Sequence, residues 1–66
     1  MEEPSQILVD ALSMCGWEWD EIILITAGIS HPMGILDMAE YVADHPNATW
    51  KDLMQEKTRL IYEYLL

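Results

Sequence analysis

The chain has 66 residues, one cysteine and a formal net charge of −9. One cysteine excludes an intrachain disulfide, this length restricts the chain to one small domain that buries only about 60% of its unfolded surface, and the charge opposes nucleic-acid binding, which needs Lys and Arg against phosphates. With 52% hydrophobic residues, five Met, three Trp and three Tyr, the compensation for small size has to come from an unusually apolar core or from a protein partner.

Residues 1–5 are a polar lead-in, and Ser5 is the expected N-cap of a first helix over 5–15. Ile7, Leu8, Ala11, Leu12 and Cys15 fall at i, i+1, i+4, i+5 and i+8, which is one helical face. Gly16 follows the last periodic residue and suits the position after a helix C-cap.

A second helix is expected over 18–28. Glu18, Asp20 and Glu21 in its first turn meet the positive end of the helix dipole, and Trp17 stands where a staple residue packs back onto the helix. Ile22-Ile23-Leu24-Ile25 is apolar on every side, so the segment is expected to be surrounded, with Leu24 in the core and this helix innermost. The β-branched run alone also suits a buried strand. The acidic helix start, and the want of a second strand to pair with, favour a helix. Gly28 ends it.

Ser30-His31-Pro32 reads as the next start, with Ser30 as N-cap and Pro32 in the first turn. The third helix covers 31–44. Pro32, Ile35, Leu36, Ala39, Val42 and Ala43 make its expected apolar face, flanked by Met33, Met38 and Tyr41. Asp37, Glu40 and Asp44 form an acidic stripe on the far side. Gly34 costs up to about 1 kcal/mol against Ala in a helix. After the His45-Pro46-Asn47-Ala48 turn, Thr49 caps a fourth helix over 49–65, with Asp52 completing a capping box. Trp50, Leu53, Met54, Leu60, Ile61, Tyr64 and Leu65 share one broad side, and Arg59 and Glu63 are an i, i+4 pair. Trp50-Lys51-Asp52-Leu53 echoes Trp19-Asp20-Glu21-Ile22, the same helix start used twice.

Charge is unevenly placed. Residues 1–44 carry nine acidic side chains and no Lys or Arg, while residues 45–66 carry three acids and three bases, Lys51, Lys57 and Arg59. The acidic two-thirds would repel a phosphate backbone and an anionic membrane alike. No apolar run reaches the roughly 18 residues of a membrane span. The acidic start Met1-Glu2-Glu3-Pro4 does not read as a secretory signal, which points to the cytoplasm and a reduced Cys15.

Ala27-Gly28-Ile29-Ser30 resembles the turn of bacterial helix-turn-helix regulators, over roughly Asp20 to Val42. Leu24 stands where that family has a small residue. The segment His31 to Met38, which the resemblance would make the recognition helix, has no Arg, Lys, Asn or Gln for base edges. The turn is therefore carried over and DNA binding is not. Met14-Cys15-Gly16-Trp17 and Ala39-Glu40-Tyr41-Val42 resemble segments of ubiquitin-associated domains, which are three-helix modules. Here Cys15 interrupts the loop motif and a fourth helix follows.

The residues offer no catalytic constellation, no metal-ligand spacing and no cofactor or small-molecule signature, so the chain is not expected to be an enzyme. Glu18, Asp20 and Glu21 read as dipole partners. His31 and His45 each precede a proline and read as solvated turn residues. Cys15 lies on an apolar face with no cation near it in sequence to make it a reactive thiolate.

The expected fold is all-α: one compact bundle of four short helices spanning 1–66. The expected function is a protein–protein interaction module, possible self-association included. Trp50, Met54, Tyr62, Leu65 and Leu66 are the candidate contact residues, since they exceed what one core-facing stripe can use. The alternative class is a nucleic-acid-mimicking inhibitor of a basic protein, of phage or mobile-element type, using Asp37, Glu40 and Asp44.

Overall fold

A computed structural model describes residues 3–65. Four helices follow in order: α1 over Pro4–Met14, α2 over Trp19–Thr26, α3 over Pro32–Asp44 and α4 over Trp50–Glu63. The all-α, four-helix expectation holds, with boundaries within two residues of those read from the sequence. There is no strand among the described residues.

The helix starts show how local chemistry places these elements. Both α1 and α3 open on a proline, whose fixed φ suits the first helical position and whose missing N–H would have had no partner there. That choice moves each cap by one or two residues from expectation. Glu3, not Ser5, is the N-cap of α1, in extended backbone. His31, not Ser30, caps α3, because the residue before a proline is driven to extended backbone. Its ring Nδ1 accepts the Met33 N–H at 3.1 Å. The two tryptophan-led starts are alike, as their sequences suggest. In α4 the Thr49 hydroxyl accepts the Asp52 N–H at 3.2 Å and Asp52 Oδ2 accepts the Thr49 N–H at 3.0 Å. In α2 the Glu18 N–H donates to Glu21 Oε1 at 2.9 Å.

Two helices stop at glycine. Gly16 and Gly28 have φ of +91° and +88°, a left-handed conformation that costs an L-residue about 1–2 kcal/mol.

Among the described residues ten apolar side chains form the core: Leu8 and Leu12 from α1, Ile22 and Ile25 from α2, Ile29, Met38, Ala39 and Val42 from the α2–α3 turn and α3, and Leu53 and Leu60 from α4. The most extensive pairing is α1 with α3. α2 lies along α1 and α4. Its all-round burial is not observed: Ile22 and Ile25 are buried, while Ile23 is exposed and Leu24 is 57% exposed. The physical reason is length. An eight-residue helix in a chain this small has neighbours on one side only, so two of four consecutive apolar residues must face out. In α3 the buried face is also rotated. Met38 is fully buried where a flanking place was expected, while Pro32 and Ala43 are exposed.

Gly34 gains a reason that the sequence did not show. It is buried where α4 returns onto α3, and a Cβ there would lie 3.2 Å from Cδ2 of the Tyr64 ring and 3.3 Å from Ile29 Cγ2. Its lack of a side chain lets the end of α4 close over the start of α3.

Candidate interaction surface

α2 and α4 run side by side in the same direction. Three pairings, each between residues 33 apart in the chain, show it. The Trp17 and Trp50 rings lie 5.9 Å apart, Lys57 Nζ donates to the Leu24 carbonyl at 2.7 Å, and Ile61 Cδ1 lies beside Gly28.

The Lys57 contact combines two roles. Leu24 is in the last turn of α2, where carbonyls lack intrahelical partners and the dipole is negative. No basic residue stands in that turn itself, so α4 supplies the cation. The site desolvates the ammonium and pushes its pKa below the usual 10.5. Lys57→Met keeps most of the stem and deletes the charge and the hydrogen bond. It is expected to cost about 1 kcal/mol, below the range of about 1.5–3 kcal/mol for a hydrogen bond from a charged group because the site is partly hydrated. Thermal melting should fall by about 4–8 °C. An unchanged melting point would mean that Lys57 holds nothing in solution.

At the other end of α4, Tyr64 ties α4 to α3. Its hydroxyl donates to Asp37 Oδ2 at 2.5 Å, and its ring stacks on His31 at 4.9 Å. The hydrogen bond to the Asp37 carboxylate, with burial, raises the Tyr64 pKa above 10.0. The folded protein therefore keeps this proton longer than the unfolded chain does. The stability it adds is complete below pH 10.0 and is lost as pH rises through the higher folded value. As pH rises above 10.0 the wild-type urea midpoint should fall more steeply than that of Tyr64→Phe. Parallel pH profiles would show that the bond does not persist in solution.

The candidate contact residues do not form one cluster. Trp50, 37% exposed, is partly covered by Trp17, and Met54 is half-buried beside it, both bordering a shallow hollow with Lys51, Gln55 and Thr58. Tyr62 and Leu65, at 71% and 69% exposure, stand at the opposite end of α4. Leu66 lies outside the described residues. Of the acidic stripe, Asp37 is engaged by Tyr64. Glu40 and Asp44 are exposed and border an open polar groove with Tyr41, His45, Glu56 and Arg59. Arg59 bonds Glu56 through Nε at 3.0 Å and Nη2 at 2.7 Å, and Glu63 through Nη1 at 2.6 Å. The stripe thus faces a cation already claimed by two carboxylates.

His31 and His45 are exposed, as expected of turn residues, but each is placed. His45 stacks on Tyr41 at 4.4 Å, and its Nδ1 lies 3.0 Å from the Tyr41 carbonyl, which requires the proton on that nitrogen. Cys15 is half-buried against the core. Among the described residues no three His, Cys, Asp or Glu side chains converge as a set of metal ligands, and no helix is long and apolar enough to cross a membrane.

The surface that sequence reasoning missed is the outward side of α2. Trp19, 61% exposed, and Ile23 stand one turn apart, and Leu24 and Asp20 form the adjacent row. The sequence carries no period here to show it; once packing sets Ile22 and Ile25 inward, the 100° step per residue turns Ile23 and Leu24 outward. A second apolar feature is a groove between the ends of α1 and α3, lined by Ala11, Met14, Cys15, Val42, Ala43 and Pro46. No protein-family model, curated protein or solved structure matches the chain.

Proposed function

We propose that the chain is a small protein–protein interaction module whose main contact is the outward side of α2. The observation that carries the reading is that an aromatic and two branched aliphatic side chains, Trp19, Ile23 and Leu24, face water together on one short helix. Grouped exposed apolar residues favour burial against a partner, and aromatic anchors dominate interface energetics. The proposal assigns the chain no catalytic step and places it in the cytoplasm, where a single cysteine stays reduced.

The test is capture from the native host's lysate. Wild type and Ile23→Ser/Leu24→Ser should both be helical by circular dichroism, since both positions are exposed. The wild type should retain a partner that the double variant loses. Identical captures by the two proteins would remove α2 as the contact. The acidic surface gives a further expectation: the protein should not retard duplex DNA or RNA at micromolar concentration in low salt, where electrostatic binding is strongest. A retardation that disappears with added salt would contradict it.

Self-association through α4 is the second reading, favoured by the exposure of Tyr62 and Leu65. Two copies each at −9 repel, so association should strengthen with salt, which screens charge. Sedimentation equilibrium of wild type and Tyr62→Ser/Leu65→Ser at high salt decides it. A wild type that stays monomeric to millimolar concentration removes self-association.

A further inference from the structure

We infer that the outward side of α2 docks a cationic amphipathic helix of another protein, an inference that rests on the interaction reading above and names the partner's chemistry. Three observations lead to it.

The first is the shape of the surface. Trp19 and Ile23 make one i, i+4 row along α2, and Asp20 and Leu24 make the next. Parallel rows of this kind leave grooves into which a ridge of another helix packs. Among the described residues there is no sheet edge that could take up an extended segment. A helix laid against α2 extends the packing by which the fold itself is built.

The second is the charge beside it. Glu18 is exposed just before α2, and Asp20 lies within the outward face, between the apolar positions. Residues 1–44 hold no Lys or Arg to answer them.

The third is where the three bases go. Lys57 is spent on the Leu24 carbonyl, and Arg59 is held by Glu56 and Glu63. Only Lys51, at the start of α4, has no such partner among the described residues. Lys57 keeps its charge, but at the last turn of α2, where it meets the negative end of the helix; Glu18 and Asp20 at the first turn have no base paired with them among the described residues. A partner with leucine-like side chains on one face and Lys or Arg along its edges satisfies both the apolar rows and the carboxylates. A second copy of this chain brings the same carboxylates and fits less well. An anionic membrane is repelled in the same way.

The probe is a labelled helical peptide of leucine and lysine, about 18 residues long so that it folds without help. A second peptide carries glutamine in place of lysine. Binding is read by fluorescence anisotropy in low salt. The lysine peptide should bind the wild type at least about tenfold more tightly than Ile23→Ser/Leu24→Ser, which keeps every charge. Equal binding would show adhesion to acidic surface alone and overturn the inference. Glu18→Gln/Asp20→Asn should bind the lysine peptide several-fold more weakly, with a shallower salt dependence. Loss of neither affinity nor salt dependence would remove these carboxylates from the site.

The glutamine peptide separates the two levels of interpretation. If it binds as tightly as the lysine peptide, the cationic partner falls and the apolar interaction surface stands. If neither peptide binds, the helical partner falls, while the lysate capture still judges the interaction reading by itself. Phosphatidylcholine vesicles that carry the wild type down on sedimentation in the absence of peptide, but not Ile23→Ser/Leu24→Ser, would reassign the face to lipid and overturn the inference.

Discussion

Ile25→Ala is expected to leave the protein largely unfolded at 25 °C, while Leu24→Ala, one residue away, leaves it folded. Ile25 is fully buried among the core side chains. Truncating a buried Ile costs about 2–5 kcal/mol through lost transfer energy and the cavity left behind. A core in a domain this small supplies only about 3–5 kcal/mol in total. Leu24 faces solvent, and its structural contribution is its carbonyl, which accepts from Lys57 and survives the substitution. Leu24→Ala should therefore change stability by less than about 0.5 kcal/mol. Urea titration followed by circular dichroism measures both variants. Comparable losses would mean that α2 is enclosed on all sides in solution, and the outward face proposed as a contact would not exist.

Met38→Ala is the second large effect, again about 2–5 kcal/mol. Met38 is fully buried in the core, on α3, which shares with α1 the most extensive pairing in the fold. Its unbranched thioether suits an irregular gap between helices, so Met38→Leu, which conserves volume, should cost under about 1.5 kcal/mol. Leu36→Ala is the control, because Leu36 is only half-buried and should lose clearly less than Met38→Ala. The comparison tests the rotation of α3 directly. If Leu36→Ala is the more damaging, α3 presents the face expected from periodicity instead of the one described.

The consequences extend to the surface. Since α1 and α3 carry the largest pairing, removing an outward side chain of α2 does not threaten the fold. Ile23 and Leu24 can therefore be changed in binding experiments with little effect on stability. Lys57 cannot be used in that way, because it bridges α4 to the end of α2.

Much of the fold was legible in the chain because helix boundaries follow from local chemistry. Pro32 opens a helix, Gly16 and Gly28 close two, and Thr49 with Asp52 caps α4 through groups three residues apart. Periodicity placed Leu8, Leu12, Ala39, Val42, Leu53 and Leu60 in the core, since apolar residues of one stripe have to meet another element. The acidic character of residues 1–44 and its opposition to phosphates needed no structure at all. What only the tertiary structure decided is which side of each helix is covered. Four consecutive apolar residues in α2 carry no period, so Ile22 and Ile25 became core and Ile23 and Leu24 surface only once α1 and α4 had taken their places. The Lys57 bridge to Leu24, the Tyr64 bond to Asp37 and the need for Gly34 likewise join residues from different helices. No local pattern encodes such contacts, because they depend on how the helices pack and not on the spacing within any one of them.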